Sequence, residues 1–354
     1  MDHGTAVAAS TVMNYGDRTA LTYIMPIRAT APQTTGDLGD YLRWVASRAE
    51  VIVVDGSDAD VFAAHARAWG SVVRHVPPAS ELCSPMGKVG GVLTGVRLAS
   101  HERLVIADDD VRYDDDGLRA MARQLDDAYV VRPQNYFEPL PWHALWDTGR
   151  MLLNRTTGGD WPGTLGVRRS ILERTGGYDG SVMFENLELV RTVRAAGGVE
   201  AVPLDLFVAR RPSTARHFWS QRVRQAYDEL ARPWRLLSQL AVLPLAVWLG
   251  RTTGWIGIAA GAAAVAAWAE IGRRRASGTR VFPAVASLFA PAWMAERAVC
   301  SWLAIASRIV YGGVPYRDTV LRHAATPMRV LRARYARDRS SSHSPAREAP
   351  RRLA

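Results

Sequence analysis

The sequence predicts an α/β protein with a mostly parallel sheet, followed by a region of membrane-associated helices. Over residues 20–230, short apolar runs that end in turns alternate with segments of helical periodicity. That alternation is typical of strands buried on both faces of a parallel sheet. From Pro233 to Val310 the chain is instead dominated by Ala, Leu, Val, Ile and Trp. A chain of 354 residues can hold a domain with a buried core and a separate apolar region.

Four apolar runs are the predicted strands, and three segments of helical periodicity accompany them. The strands are expected at 20–27, 50–58, 71–76 and 102–110, and the helices at 36–49, 60–70 and 89–100. Crossovers between parallel strands are right-handed, and ligands bind where the carboxyl ends of such strands meet. Asp55 and the run 108–110 follow two of these strands. We therefore expect these carboxylates on one ligand-binding edge of the sheet.

Beyond Asp110 the alternation becomes less regular. The segment 128–147 carries aromatic residues and prolines, which suit the wall of a pocket. Residues 163–180 are predicted to form a strand and then a helix that stops at two glycines. Residues 185–198 are predicted to form a helix with a glycine at its end.

The triplet of carboxylates at 108–110 indicates a divalent cation. Adjacent carboxylates repel one another, and a hard cation such as Mg²⁺ or Mn²⁺ offsets that repulsion. Asp108 and Asp110 project from the same face of an extended chain, so they are the predicted metal ligands. A second triplet at 114–116 is expected to begin a surface helix.

The net charge of +10 comes largely from the C-terminal tail, which has ten Arg from Arg317 onward against three acidic residues. A basic tail beside an apolar segment favours an anionic membrane surface as its partner. Because few aromatic residues are interleaved with these arginines, nucleic acid is not an expected partner. Residues 1–18 have no continuous apolar stretch and are predicted to be a flexible lead without a signal peptide. Cys83 and Cys300 are predicted to be apolar fillers, not metal ligands.

The apolar region is predicted to form a membrane hairpin. Residues 233–250 and 254–272 each have about the minimum length for a bilayer core, with tryptophans near their ends. The alternative is a pair of buried helices in a soluble domain. A third stretch, 281–309, contains two prolines and the pair Glu296–Arg297. We predict an interfacial or re-entrant element there, because a third crossing would place the basic tail outside.

The regions expected in chain order are the lead 1–18, an α/β domain 19–232, membrane-associated helices 233–310 and a basic, partly disordered tail 311–354.

Six motifs occur in an order that resembles one known family. They are VVDGSD, GKVGGVLTG, ADDD, GTLGVRRSILERTGGYD, ENLELVRTVRAAGG and QRVRQ. Together they resemble a membrane-associated family 2 glycosyltransferase with a GT-A fold, over about residues 20–230. The resemblance implies a Rossmann-like, mostly parallel sheet, a nucleotide-diphosphate sugar donor and a divalent metal, Mn²⁺ or Mg²⁺. With the membrane hairpin, it implies a cell-membrane protein whose catalytic domain is cytoplasmic.

The resemblance also implies roles for individual residues. Those of donor or nucleotide binding are Pro26, Asp55, Lys88, Asp108, Asp109, Gln221 and Arg224. The metal ligands are Asp108 and Asp110, and the acceptor pocket contains Trp161, Gly163, Thr164 and Arg168. Gln221 and Arg224 match the first and fourth positions of the QxxRW motif, which in this family closes over the diphosphate.

Two departures from the family pattern affect the predicted chemistry. Gln225 replaces the usual Trp of QxxRW, which weakens the case for processive polymer synthesis. Asn186 replaces the Asp that usually acts as general base, and an amide cannot accept the acceptor's proton. Glu185 is therefore the first candidate base, and Glu188, one turn along the helix, is the second.

Lys88 is the only lysine in the chain, where Lys and Arg together number 44. A compact ammonium can approach a crowded phosphate where a planar guanidinium does not fit. Glycines at 87, 90 and 91 allow the backbone to come close. The alternative is a chance survivor of a compositional bias towards arginine. Since Lys88 lies between two strand-end carboxylates in the chain, we predict that it acts near the diphosphate.

The predicted function is transfer of a sugar, with inversion, from a nucleotide-diphosphate sugar to an acceptor hydroxyl at the membrane. A lipid, a lipid-linked glycan and another glycan all remain open as acceptors. The alternative is a catalytically inactive protein of the same fold that binds a nucleotide sugar or a membrane surface, as Asn186 suggests. A phosphate-binding P-loop is excluded, because its pattern requires Gly at position 82 and Ser or Thr at 89, where the chain has Leu82 and Val89.

Overall fold

The chain folds into an α/β domain with a helical C-terminal region. The computed structural model describes residues 19–34, 36–316 and 319–342, so the predicted lead at 1–18 and the end of the tail at 343–354 lie outside the described residues. The strands are β1 Thr22–Ile27, β2 Glu50–Asp55, β3 Arg74–Val76, β4 Arg103–Ala107, β5 Val111–Arg112, β6 Val130–Val131, β7 Gln134–Phe137, β8 Thr164–Arg168, β9 Glu200–Ala201, β10 Phe207–Arg210, β11 Val314–Tyr316 and β12 Thr319–Leu321. The helices are α1 Asp37–Ala46, α2 Ala59–Trp69, α3 Gly87–Leu98, α4 Asp115–Asp127, α5 Trp142–Thr156, α6 Arg169–Thr175, α7 Glu185–Ala195, α8 Ala215–Ser220, α9 Arg222–Tyr227, α10 Pro233–Arg274, α11 Ala286–Tyr311 and α12 Met328–Ser342.

A seven-stranded sheet of order β3-β2-β1-β4-β8-β6-β9 forms the centre of the domain. Strands β3, β2, β1 and β4 are parallel, as the apolar runs of the sequence predict. Strand β8 is the exception, because it runs antiparallel to both β4 and β6. The α/β class with a mixed, mostly parallel sheet is therefore confirmed.

A second, three-stranded sheet of order β5-β10-β7 begins directly after the Asp triplet. Val111, the first residue of β5, lies opposite Arg210 of β10. This antiparallel pairing brings Arg210 beside Asp110, from which it is separated by 100 positions in the chain. The second sheet thus adds a cation to the carboxyl end of β4.

Apolar side chains cover both faces of the large sheet and hold its helices. Ile24 and Ile52 belong to one buried cluster, with the apolar side of α3, whereas Tyr23 and Val53 belong to another, with α1. Glycines let α3 approach β1 closely, since a Cβ atom at Gly91 would lie 3.0 Å from Pro26 Cβ. This packing places the N-terminal turn of α3 at the carboxyl end of β1.

Helix α10 turns back on itself at Gly254. The backbone there has φ 65° and ψ −155°, which lies outside the helical region and favours glycine. A Cβ atom at Gly250 would lie 3.4 Å from Ile258 Cδ1, although eight residues of continuous helix would separate these positions by about 12 Å. The two arms, 233–253 and 255–274, therefore lie side by side.

One helical segment of the described chain, Pro233–Arg280, is long and apolar enough to cross a membrane by its length and composition. Only 6% of its most apolar window is buried. A single such segment is weak support for membrane association, and the part of the chain that the structure describes does not support several crossings.

The stretch 281–309 is largely the continuous helix α11, which packs against α5, α9 and α10. Its interfacial or re-entrant placement stays a prediction. Glu296, predicted to interrupt this stretch, pairs with Arg222 of α9 at 2.5 Å. Arg222 also pairs with Asp147 of α5 at 3.0 Å. The charged residues thus join α11 to the domain, because their charges are neutralised by partners on other helices.

The first part of the predicted tail, 311–354, is structured. After the β11–β12 hairpin the chain returns to the α/β domain, where Met183 N donates to His323 O at 2.9 Å and Phe184 N donates to Ala324 O at 2.8 Å. Helix α12 then packs against α7. Backbone hydrogen bonds and buried apolar residues hold this segment, which the arginine-rich composition of the sequence did not suggest.

Gly149 of α5 offers a test of the contact between α5 and α11. A Cβ atom there would lie 2.9 Å from the backbone N and Cα of Ala290. Gly149→Ala should therefore destabilise the protein by about 1–3 kcal/mol, measured as a lower thermal midpoint in detergent. Gly261→Ala is the matched control, since the nearest atom to its Cβ, Leu249 Cδ1, is 3.9 Å away. Equal midpoints for both variants would contradict this packing.

Candidate active site

A polar cavity of about 440 Å³ opens at the carboxyl end of β4. Carboxylates and guanidinium groups face each other across it. Its acidic residues are Asp108, Asp109, Asp110, Asp147, Glu185, Asp228 and Glu229, and its basic residues are Arg150, Arg210, Arg224, Arg232, Arg235 and Arg297. Such a lining suits a charged ligand accompanied by a cation.

Lys88 links two carboxylates that come from different parts of the chain. Its Nζ lies 2.5 Å from Asp108 Oδ1, just after β4, and 2.9 Å from Glu185 Oε1, at the start of α7. Burial alone would lower the pKa of Lys88, but the two carboxylates outweigh it and raise that pKa. Lys88 is therefore a fixed cation at the junction of α3, β4 and α7.

Arg210 shows that two carboxylates of the triplet can share one cation. Its Nη2 lies 2.6 Å from Asp110 Oδ2 and 3.7 Å from Asp108 Oδ2. Asp109 lines the same cavity, and burial, followed by the charges of Asp110 and Asp108, raises its pKa. Hard carboxylate oxygens gathered within reach of one positive group fit the donor set that Mg²⁺ or Mn²⁺ requires.

The predicted QxxR residues lie at the same cavity. Gln221 and Arg224 both line it. The Oε1 atom of Gln221 is buried and has no hydrogen-bond partner among the described residues. The guanidinium of Arg224 lies 5.3 Å from the ring centroid of Tyr316. Gln225, at the usual Trp position, accepts a hydrogen bond from Arg222 at 2.9 Å, so it joins the helix network described above.

Two of the residues predicted for the acceptor pocket line the cavity, Trp161 and Gly163, as does Pro26 of the donor set. The Trp161 ring packs edge-on against Phe184, with centroids 5.0 Å apart. Thr164 is buried beneath the cavity, where its hydroxyl donates to Ile106 O at 2.8 Å. These positions agree with a binding role, which stays a prediction.

Three predicted site residues lie elsewhere. Arg168 lies at the far end of β8, opposite Arg103 in the β4 register, and its Nε donates to Leu125 O at 2.7 Å. The side chain of Glu188 is buried and accepts a hydrogen bond from Thr326 N at 2.6 Å. Because antiparallel β8 carries Arg168 to the opposite edge and Glu188 faces the returning C-terminal segment, neither lines the cavity.

Asp55, the third predicted site residue that does not line the cavity, belongs to a buried polar cluster. Its Oδ2 lies 2.7 Å from His65 Nδ1 and 3.0 Å from His75 Nε2. Burial alone would raise the pKa of Asp55, but hydrogen bonds from His75, Ser57 and His65 hold it well below its usual range. The ligand atoms of this trio lie within 4.8 Å of one another, yet the carboxylate oxygen is already shared by both imidazoles. The sequence patterns do not predict this cluster.

Glu185, the first residue of α7, is the better placed of the two candidate general bases. Glu185 lines the cavity, and its contact with Lys88 Nζ at 2.9 Å holds the carboxylate in place there. Asn186 Nδ2 donates to Pro162 O at 3.1 Å, which holds the neighbouring amide against the loop before β8. Of the two predicted bases, only Glu185 can reach a ligand in the cavity.

Sequence reasoning missed Arg210 and Asp228. Arg210 has no sequence signal, because the pairing of β5 with β10 alone brings it to the triplet. Asp228 lies just after QRVRQ, where its position one helical turn beyond Arg224 could have indicated it. Burial, followed by the charge of Glu185, raises the pKa of Asp228 to about 8. Burial in the site therefore favours the protonated form of this carboxyl group.

Comparisons with known proteins concern the fold. The chain matches no protein-family model and no curated protein. It is similar to the mannosyltransferase PcManGT from Pyrobaculum calidifontis, solved with GDP-Man and Mn²⁺, at 19% identity and a TM-score of 0.46, over 80% of this chain and 87% of that chain. It is also similar to residues 1–349 of TarS from S. aureus, solved with UDP-GlcNAc, at 13% identity and a TM-score of 0.39, over 56% of this chain and 60% of that chain. A longer TarS structure matches at 14% identity and a TM-score of 0.38, over 59% of this chain and 39% of that one. The chain thus spans less than two thirds of both TarS chains, and these values carry no inference about activity.

Lys88→Arg tests whether the site needs a compact ammonium. The guanidinium is larger and planar, so it should not fit between Asp108 and Glu185 without moving one of them. We expect loss of the thermal stabilisation that a nucleotide-diphosphate sugar and Mn²⁺ give to the wild-type chain. Arg97→Lys, on an exposed turn of the same helix, is the control. If Lys88→Arg keeps the full ligand-induced shift, the lysine is a compositional accident.

Asp228→Asn tests the buried carboxyl group through pH. A folded-state pKa of about 8 lies above the ordinary value of 3.8, so ionisation is disfavoured in the folded chain. Stability should fall as the pH rises through the window between these two values. The thermal midpoint of the wild type should drop more steeply from pH 5 to pH 8 than that of Asp228→Asn. Asp60→Asn, an exposed control, should follow the wild type, and parallel curves for all three would refute the burial.

Proposed function

We propose that the chain is a metal-dependent, inverting glycosyltransferase that moves a sugar from a nucleotide-diphosphate sugar to an acceptor hydroxyl at the membrane. One observation carries this proposal: Lys88 bridges Asp108 and Glu185 at 2.5 and 2.9 Å, and both carboxylates line a cavity that Asp110 and Arg224 also line. Two Asp carboxylates suited to a divalent cation, a fixed ammonium and a Glu carboxylate thus lie close together at a strand-end edge. The motif order of the sequence supports the same function.

The positively charged groups of the site would neutralise the charge of the leaving group. Asp108 and Asp110 would hold the divalent metal, which supplies charge neutralisation on the departing diphosphate when it is bound. Lys88 and Arg224 add positive charge for the same oxygens. Because Lys88 is fixed before the donor binds, its charge is preorganised and needs no rearrangement during reaction.

Glu185 is assigned to the acceptor. Its carboxylate takes the proton of the acceptor hydroxyl, and the acceptor oxygen forms a bond to the anomeric carbon. The bond from that carbon to the diphosphate oxygen breaks, and its electron pair leaves with the nucleoside diphosphate. This single displacement inverts the anomeric configuration and needs no covalent intermediate. Trp161 and Gly163 form the wall beside this position.

Membrane association completes the proposal. The arms of α10 expose large apolar side chains, including Trp234, Trp255 and Ile256, and an exposed apolar surface of this kind suits a bilayer. We assign the α/β domain to the cytoplasmic side, where the arginine-rich residues after α11 would also lie.

A second candidate is a catalytically inactive protein of the same fold that binds a nucleotide sugar. The hydrogen bond from Asn186 to Pro162 O at 3.1 Å favours it, because the position of the usual base is occupied by a neutral, structurally engaged amide. The two candidates share donor binding and differ in turnover.

The deciding experiment combines donor binding with hydrolysis or transfer. Thermal shifts with UDP-, GDP- and dTDP-sugars in the presence and absence of Mn²⁺ identify the donor. Asp110→Asn should lose the Mn²⁺-dependent shift, whereas Glu185→Gln should keep donor binding and lose turnover by at least about 100-fold. Asp116→Asn, in the exposed second triplet, is the matched control. Donor binding with equal background turnover in the wild type and Asp110→Asn would establish the inactive protein instead.

A further inference from the structure

A second cavity lies between the α10 hairpin and the α/β domain. It has a volume of about 810 Å³ and a largely apolar lining. The first arm of α10 lines it through Val242, Leu245, Ala246 and Leu249, the second arm through Ile258, Gly261, Ala262, Val265 and Trp268, and α5 and α11 through Leu153, Pro291, Trp293 and Met294. The spacings within each arm repeat every three or four residues, so each arm turns one helical face towards the cavity. We call this cavity the apolar groove.

The apolar groove adjoins the candidate active site. Asn154, Trp161, Arg232 and Arg235 line both cavities. A group held at these shared residues therefore lies beside the polar cavity. From Arg232 to Leu249 the first arm extends about 26 Å along its axis, which is long enough to cover an extended hydrocarbon chain.

The junction of the two cavities carries an excess of positive charge. Arg232 and Arg235 both pair with Glu229, at 2.9 and 3.1 Å, so two cations share one carboxylate. The Nε of Arg232 has no hydrogen-bond partner among the described residues. Burial, which exceeds the compensation from Glu229, lowers the pKa of Arg232 to about 10. An anionic group at this junction would restore the balance of charge.

We propose that the apolar groove binds the hydrocarbon chain of an anionic lipid, whose headgroup lies at Arg232 and Arg235 and carries the accepting hydroxyl. This inference rests on the proposed glycosyltransferase function and names its acceptor class. The groove offers few polar groups for a peptide backbone, whose donors and acceptors would stay unpaired there. The charge at the junction favours an anionic headgroup, and the exposed outer faces of α10 place the groove beside the bilayer that supplies the lipid.

The reaction then takes place where the two cavities meet. The headgroup hydroxyl reaches Glu185 from the groove side, past Trp161, while the donor lies on the side of Lys88 and the Asp triplet. Since the chain fixes one end of the acceptor and the arginines fix its charge, the hydroxyl is held near the donor before reaction.

The test uses the full chain in nanodiscs of phosphatidylglycerol or phosphatidylcholine. Ala262→Trp fills the groove from the second arm, and Ala246→Trp fills it from the first, so a folding defect in one variant does not decide the outcome. Ala264→Trp is the matched control, because Ala264 is exposed and does not line the groove. Native mass spectrometry counts the phosphatidylglycerol retained after extraction, and thermal shift measures donor binding separately.

We expect both groove variants to reduce retained phosphatidylglycerol about tenfold, because each removes the space for several methylene groups. The control should retain as much as the wild type, and Arg235→Gln should reduce the preference for phosphatidylglycerol over phosphatidylcholine. Donor binding should persist in both groove variants, while transfer of labelled sugar into the lipid fraction should be lost.

Unchanged lipid retention in both groove variants, with donor binding intact, would overturn the lipid assignment and leave the proposed function standing. Absence of donor binding in the wild type would instead remove the proposed function. A dimer that both groove variants dissociate would show that a second copy of the chain occupies the groove, and equal retention of the two phospholipids by the wild type would refute the charge argument.

Discussion

Neutralisation of buried carboxylates at the carboxyl end of β4 is the interaction on which the candidate site depends. Asp108, Asp109 and Asp110 are adjacent in the chain, and half-buried carboxylates of the same sign repel strongly. Lys88 and Arg210 offset that repulsion through contacts of 2.5 and 2.6 Å. Each cation comes from a distant element, so the folded chain stabilises the triplet only when α3 and β10 are in place. Lys88 also contacts Glu185, whose carboxylate it holds beside the cavity.

A second network of charges decides how the C-terminal helices relate to the α/β domain. Arg222 of α9 contacts Asp147 of α5 and Glu296 of α11 within 3.0 Å. Burying such charges costs desolvation energy unless each one is paired, and here the pairing joins three helices. Helix α11 is consequently fixed to the α/β domain by ion pairs. Its position against α5 creates one wall of the apolar groove.

The polar cavity and the apolar groove have different roles in the proposed reaction, because their linings differ in polarity. Charged side chains face the site assigned to a nucleotide diphosphate, and hydrocarbon side chains face the site assigned to a lipid chain. Trp161 and Arg232 line both, one through an aromatic ring and one through a cation, so they mark the boundary between the two environments. The order of elements along the chain, with the hairpin directly after QRVRQ, makes this adjacency possible.

The sequence by itself determined the α/β class, the parallel strands β1 to β4 and the position of the Asp triplet after a buried strand. It could do so because these features depend on local patterns of apolar residues and on short motifs. The convergence of Pro26, Lys88, Glu185 and Arg224 on the triplet followed from strand-end logic and motif order. Such local patterns could not predict the position of residues that depend on antiparallel pairing or on contacts between distant segments. Arg210 reaches the site through the pairing of β5 with β10, and Arg168 leaves it because β8 runs antiparallel. Contacts with two histidines hold Asp55 outside the cavity, and a hydrogen bond from the returning C-terminal segment does the same for Glu188. Only the tertiary structure decided these four positions, since each is set by contacts between segments far apart in the chain.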